Sequence, residues 1–386
     1  MTISAAATHN DVPARAAAWL AAWDGQGFHR TGTAGDAAGA EWLAREVEAL
    51  SFHPGIEEFA LDRLDPIDTY VELAGVRIEG VPLFDAPATG SDGLVGALGP
   101  AGGEAAIGVA ELSPRDVYSG EAERVRRSGR HRGIVVLCRG DAPGLGLLNA
   151  ESFRQPYGPA AIHLPSEARD RLLAAARSGA AGRLVSHSRR VPTQGKNVVL
   201  TVPGRDRHRP PLVVMTPRSS WWQSTAERGG GLVCWLEGLR ALAAEPPRCD
   251  VVFTANSGHE LNHLGLDDFI ARRPGWDKSV TWVHFGANLG AAGSKLSVMS
   301  AEDALRALAT AELQQAGHPA DTVAAKSQVP SGETRDIHRA GGRYVTLVGS
   351  NKLFHLPQDR WPHAVDLDAV TRIAAAAAAL VRALAR

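Results

Sequence analysis

Apolar residues recur along this chain in two rhythms. Leu43, Val47 and Leu50 fall at i, i+4 and i+7, which predicts an amphipathic helix over Gly39 to Leu50, entered through the turn-rich HRTGTAGDAAG. Leu232, Trp235, Leu236 and Leu239 form a second apolar stripe. Ser300 and Asp303 make a capping-box-like start for a helix carrying Leu305, Leu308 and Leu313. The alanine run between Ile373 and Val381 reads as a C-terminal helix packed on the body. The other rhythm is a set of short β-branched runs at 198–202, 212–215, 251–254, 280–285 and 345–348. They are nearly unbroken by polar residues, as expected for strands buried on both faces.

Strand and helix signals alternate in the second half, which predicts an α/β three-layer sandwich with a mostly parallel central sheet. Functional loops are then expected at the carboxyl ends of its strands. Between about 71 and 191 the texture changes. Short β-like runs such as 133–138 alternate with Gly and Pro turns, and a helix over 167–177 interrupts them, so an inserted β-rich domain is expected there. The catalytic α/β domain would then comprise 1–70 and 192–386, with 71–191 as the insertion.

A chain of 386 residues is long enough for two domains or for one large domain with an insertion. A formal net charge of -1 gives no basic footprint for nucleic acid. Cys138, Cys234 and Cys249 sit in or beside apolar runs, so neither a disulfide framework nor a Cys-x-x-Cys metal site is indicated. The N-terminus lacks the pattern of a secretory signal, and no run approaches the roughly 20 apolar residues of a membrane span. A cytoplasmic protein with no membrane or nucleic-acid partner is expected. Oligomeric state is left open.

Residues 257–266, SGHELNHLGL, contain His259, Glu260 and His263 as H-E-x-x-H. On a long helix this pattern sets two imidazoles around one zinc. Here it follows directly on a strand, and Gly265 comes two residues later, so a His-rich loop entering a helix is the simpler reading, with His263 a helix-face residue rather than a ligand.

The order of segments along the chain resembles the M28 family of zinc aminopeptidases, α/β enzymes that often carry a protease-associated domain as an insertion. RTGTAG at 30–35 resembles that family's N-terminal segment, and GKNVVLTVPG at 195–204 the strand re-entering the catalytic domain. STAERGGGLVCWLEGLRAL is similar to the segment with the bridging aspartate, FTANSGHELNHLGLDDFI to the turn with paired glutamates, and FHLPQDRWPHAVD to the closing histidine loop. The resemblance covers nearly the whole chain and implies an inserted protease-associated-like domain.

Carried over by position, the family's metal set is incomplete. Its first histidine and supporting aspartate fall on Thr216 and Arg218, and its later aspartate falls near Gly286 or Ala287. The bridging aspartate becomes Glu227, the general-base glutamate becomes His259, the ligating glutamate is kept as Glu260, and the last histidine as His355. The resemblance therefore implies at most one zinc, held by Glu227, Glu260 and His355, an arrangement comparable to that of glutaminyl cyclases on the same fold. Two oxygens and one imidazole suit zinc with an open fourth position. His259 would be the proton-transfer group or itself a ligand.

Other readings of these residues stay open. Glu227 suits the start of the helix carrying Trp235, where exposed amides stabilise an anion. Arg218 is placed to pair with Glu227 or Glu260 and replace the missing cation, leaving no metal. Trp221 and Trp222 are either pocket walls or core. Arg218, Trp222, Asn288, Asn351, Asp359 and Arg360 are the candidate contacts to a small-molecule or short peptide-like substrate; for the two asparagines a plain turn role is the alternative. Two functions follow: an M28-like hydrolase or acyl-transfer enzyme acting on an amide or ester bond with at most one zinc, or a metal-free pseudopeptidase serving as a non-hydrolytic enzyme or a binding module.

Overall fold

The computed structural model describes residues 11–114, 116, 120–243 and 245–386. Residues 1–10, which carry part of the reading against a secretory leader, lie outside them. Among the described residues, the strands of the first half are β1 (Gly55–Leu73), β2 (Val76–Glu79), β3 (Val81–Pro82), β4 (Leu94–Pro100), β5 (Ile107–Leu112), β6 (Gly133–Cys138), β7 (Ala160–Leu164) and β8 (Ala181–Val202). Those of the second half are β9 (Leu212–Pro217), β10 (Val251–Asn256), β11 (Thr281–Phe285), β12 (Leu296–Met299), β13 (Thr322–Val323) and β14 (Arg343–Gly349).

The central sheet runs β13-β12-β14-β11-β9-β10-β8. Strands β14, β11, β9 and β10 are mutually parallel; β8 and β12 flank them antiparallel. Both faces are covered, which is why these strands read as unbroken apolar runs. Side chains alternate between the layers. Leu212 and Val214 join a core shared with helices Val12–Asp24, Ala34–Ala49, Gly230–Ala243, Asp303–Gln315 and Leu367–Ala385. Val213 and Met215 point the other way, to Leu266, Phe269, Trp282 and Ile337.

The long strands β1 and β8 form an antiparallel ribbon, paired from Gly55 with Val199 to Leu73 with Gly182. The chain leaves the central sheet along one and returns along the other. The segment between them is not simply β-rich. Strands β4, β5, β6 and β7 are parallel, and each face has its own apolar cluster. Val135 and Leu137 pack with Leu172 and Ala176 of helix Arg169–Ser178, while Ile134 and Val136 pack with Val125 of helix Glu121–Arg127.

Local details depart from the sequence expectations for identifiable reasons. The helix expected from Gly39 starts at Ala34, because the Thr33 hydroxyl accepts from Asp36 N at 3.3 Å and caps it. Ser300 makes no capping box. Its hydroxyl donates to Tyr344 O at 2.6 Å and accepts from Glu302 N at 3.0 Å. Among the described residues, no helix is long and apolar enough to cross a membrane.

Candidate active site

The helix Gly230–Ala243 follows β9 on one side, and the chain crosses from β10 to β11 on the other side of β9. This reversal marks the carboxyl ends of the strands, where α/β sheets gather functional loops. A π-helical turn, Thr225–Gly229, leads into the helix. Glycine is required at 231, because a Cβ there would lie 2.7 Å from Thr216 Oγ1 and 3.0 Å from Phe285 O. That close approach brings Glu227 and Arg228 over the strand ends.

Glu227 and Arg228 are both buried and at ion-pair distance, with Arg228 Nη2 2.6 Å from Glu227 Oε1. Arg228 Nε donates to Ser219 O at 2.7 Å. Neither Glu227 oxygen and neither terminal guanidinium nitrogen makes a well-directed hydrogen bond to the protein. Burial opposes ionisation of Glu227, but Arg228 and then His355 outweigh it and hold the carboxyl below its usual range. His355 stands at positive φ with Nε2 3.7 Å from Glu227 Oε1 and Nδ1 2.6 Å from Leu147 O.

The second half of the site is built on His259, at the start of a single 3₁₀ turn after β10. His259 Nδ1 lies 2.9 Å from Glu333 Oε1. Burial first, then the Arg228 guanidinium, bring the ring's pKa down to about 4. A neutral ring beside a carboxylate carries its proton on Nδ1 and leaves a lone pair on Nε2. Burial opposes ionisation of Glu333, yet the charge and hydrogen bond of His259 keep its carboxyl well below the usual range. His284 Nε2 is 3.5 Å from Glu333 Oε2, and its Nδ1 meets Thr346 Oγ1 at 2.7 Å. His263 is not on a helix face pointing away. It sits at φ 59° just before helix Leu264–Ala271, with Nδ1 2.6 Å from Asp336 Oδ2. The Asp336 bond raises its pKa against the opposing effect of burial.

Glu260 is turned away from this cluster. It accepts from Thr31 N at 2.7 Å and from Ser219 Oγ at 2.6 Å, so both oxygens are engaged. Burial raises its pKa. Arg218 meets neither Glu227 nor Glu260. It is fully buried on Asp36, Nη1 to Oδ1 2.9 Å, and donates to Asp36 O and Lys196 O. The guanidinium beside Glu227 is Arg228 instead.

The remaining candidates fall into two groups. Trp222 is half-buried and donates to His355 O at 2.9 Å, at the edge of the cluster, whereas Trp221 is core, stacked on Phe84 at 4.6 Å. Asn288, at φ 65°, leaves its Oδ1 buried without a protein partner. Asp359 pins the loop, accepting from Ala226 N at 2.7 Å and Glu227 N at 3.0 Å. Burial, then the Glu227 charge, push its pKa up to about 7. Asn351 donates to Asp359 at 3.1 Å, and Arg360 is bound to Asp24 at 2.8 Å, so both hold loop to body. Missed from sequence were Glu333, Arg228, His284 and Asp336. The adjacent SGE, with Gly332 at φ 70° just before a helix, was the available signal for Glu333.

Solved structures share this architecture over almost their whole length. The zinc aminopeptidase BSAP from Bacillus subtilis superposes with a TM-score of 0.77 at 16% identity, covering 95% of this chain and 94% of that one. A peptidase M28 precursor from Shewanella amazonensis SB2B gives 0.77 at 14% identity, covering 97% and 95%. The chain has the M28 aminopeptidase fold. An aminopeptidase from Aneurinibacillus sp. strain AM-1 matches the M28 fold of this chain at 0.72 and 12% identity, covering 98% and 95%. No protein-family model matches the chain, and no curated protein matches it in sequence.

Whether zinc fits can be judged from the donors themselves. Glu227, Glu260 and His355 do not form a group with ligand atoms within 4.8 Å of one another, Glu260 is saturated by Thr31 and Ser219, and Arg228 occupies the Glu227 carboxylate. That set does not fit the ion. Among the described residues the group that does is His259, His263 and Glu333, all buried.

Proposed function

We propose that this chain is a divergent hydrolase or acyl-transfer enzyme, acting on an amide or ester bond of a specialised small or short peptide-like substrate with at most one zinc. The observation that carries this reading is His259. Its Nδ1 is fixed by Glu333 at 2.9 Å, and the groups gathered around it, Glu227, Arg228, His284 and His355, leave buried polar atoms without a hydrogen-bond partner. Buried donors and acceptors left unmet cost free energy unless a ligand or water completes them, so such a cluster marks where a substrate binds.

Each group has a task. Glu333 sets the tautomer and orientation of His259, as a carboxylate does for any reaction-facing imidazole. His259 meets the reacting bond, either accepting a proton on Nε2 or acting through one ion. The Arg228 nitrogens offer donors to an oxygen on which negative charge develops. Asp359 and Asn351 position the loop that carries His355. Bound zinc supplies Lewis-acid polarisation of a substrate carbonyl. The fold neighbours named as aminopeptidases support the hydrolase class, and the buried free cysteines support a cytoplasmic setting.

A second reading rests on the Glu227–Arg228 pair, an internal cation already beside the carboxylate. It makes the chain a metal-free enzyme or a binding module. A panel of aminoacyl amides, esters and pyroglutamyl-forming substrates, assayed with and without chelator, separates the two. Turnover of an amide or ester that is lost in His259→Gln is the result expected. Tight ligand binding without turnover of any substrate supports the second reading and sinks the first.

A further inference from the structure

We propose that this protein has a divalent transition-metal site, with zinc chemistry, built from His259, His263 and Glu333 rather than from Glu227, Glu260 and His355. The site rests on the reading above only in taking His259 as the group facing the reaction. It decides between that residue's two roles, making it a ligand.

Three features point to a metal. The first is the donor set. One ligand atom each from His259, His263 and Glu333 lies within 4.8 Å of the others, and all three residues are buried. Two imidazoles and one carboxylate, with a position left for substrate or water, are a catalytic-zinc combination. Imidazole donors also favour zinc and its transition-metal neighbours over magnesium or calcium.

The second feature is the outer shell. The Nδ1 atoms of His259 and His263 lie 2.9 Å from Glu333 and 2.6 Å from Asp336. Anchoring one ring nitrogen on a carboxylate fixes an imidazole and raises the basicity of the other, as is usual for metal-binding histidines. The Nε2 of His263 is thereby left for a ligand, while on His259 the donor is Nδ1 itself, where an ion would replace the proton shared with Glu333 Oε1. Glu333 keeps a second oxygen, Oε2, buried and without a hydrogen-bond partner.

The third feature is the backbone that brings the rings together. His259 and His263 have the spacing of a helical zinc pair but lie on a turn. Gly258, Asn262 and His263 all adopt positive φ, at 85°, 61° and 59°. Two consecutive residues other than glycine in this region are strained, and such strain concentrates at functional sites. Here the two rings lie with centroids 5.3 Å apart, tilted at 42° to one another. The side chains must still draw together for all three donors to reach one ion.

The test uses the full-length, tag-free chain, stripped with chelator and titrated with Zn²⁺ by calorimetry and with Co²⁺ by visible absorption. The expected result is one ion per chain and a tetrahedral cobalt spectrum. Affinity should fall by more than about 100-fold in His263→Ala and in the closer isostere His263→Asn, and by about 10–100-fold in Asp336→Asn. His355→Ala should bind as tightly as the parent. Unfolding curves confirm that each variant is folded. Stoichiometric binding that survives in both His263 variants and disappears in His355→Ala overturns this site while leaving a one-ion hydrolase standing. Absence of binding in the parent overturns it as well, and chelator-resistant turnover would then favour the metal-free reading.

Discussion

His259 and Glu260 are chain neighbours that belong to opposite kinds of buried polar cluster. Glu260 lies in a nearly closed network with Thr31, Ser219, Ser257, Asp36 and Arg218, in which both carboxylates have their oxygens engaged and Arg218 Nε alone is left without a partner. His259 lies in an open one, where Glu227, Arg228, His284, Glu333 and His355 leave atoms unmet. Both clusters sit at the carboxyl ends of the same parallel strands, and both are almost fully buried. Burial and polarity therefore do not distinguish scaffold from site; unspent hydrogen-bonding capacity does.

The contrast is broken most severely at Arg218. Arg218→Ala leaves Asp36 buried without its cation and should lower unfolding stability by about 3–5 kcal/mol in urea titration. A loss under about 1 kcal/mol, the range of an exposed pair, would mean the network is not closed. In the open cluster the effect moves from stability to rate. His259→Gln keeps a donor for Glu333 and should cut turnover by roughly 10²–10⁴-fold while the unfolding midpoint stays near the parent's. A variant that unfolds as readily as Arg218→Ala would put His259 in the scaffold.

Glu260→Gln sharpens the comparison from the other side. An amide cannot accept from both Thr31 and Ser219, so stability should drop by about 1–3 kcal/mol while the folded protein retains turnover within a few-fold. A complete loss of activity in folded Glu260→Gln would return that residue to the site.

The smallest effect at neutral pH belongs to His29. It is stacked on Trp23 at 3.5 Å with Nδ1 3.1 Å from Gln223 O, and burial brings its pKa down to about 3. The unfolded ring titrates near 6.5 and binds a proton that the folded one excludes. Its contribution is thus fully present above pH of about 6.5 and is lost as pH falls toward about 3. His29→Gln should flatten the stability curve across that window. An unchanged slope there would contradict a neutral buried ring.

Much of the architecture was legible because parallel strands covered on both faces leave a continuous apolar record, as at 212–215 and 251–254. The inserted segment was harder to read: its strands β4 and β5 are interrupted by Gly96, Gly99 and Gly108, and among the described residues helix Glu121–Arg127 gives only Val125 to the apolar cluster on its side of the sheet. Positions His259, Glu227 and His355 emerged from segment order, and the structure gathers all three around one cluster. The partners did not emerge. Glu333 lies 74 positions from His259 in sequence, and nothing in its neighbourhood names the imidazole it meets. Arg218 and Arg228 look equally able to replace a cation. Which carboxylate each finds depends on the direction in which β9 and the π-helical turn deliver them. The His259–His263 pair was discounted for want of a long helix, and only the run of positive φ angles shows how a turn can bring the rings together.

The most direct test of where the chemistry sits is an anomalous difference map at the zinc edge, from crystals of the full chain grown with the ion. One peak coordinated by His259, His263 and Glu333, with Glu260 still held by Thr31 and Ser219, is the outcome expected. A peak among Glu227, Glu260 and His355 would contradict it.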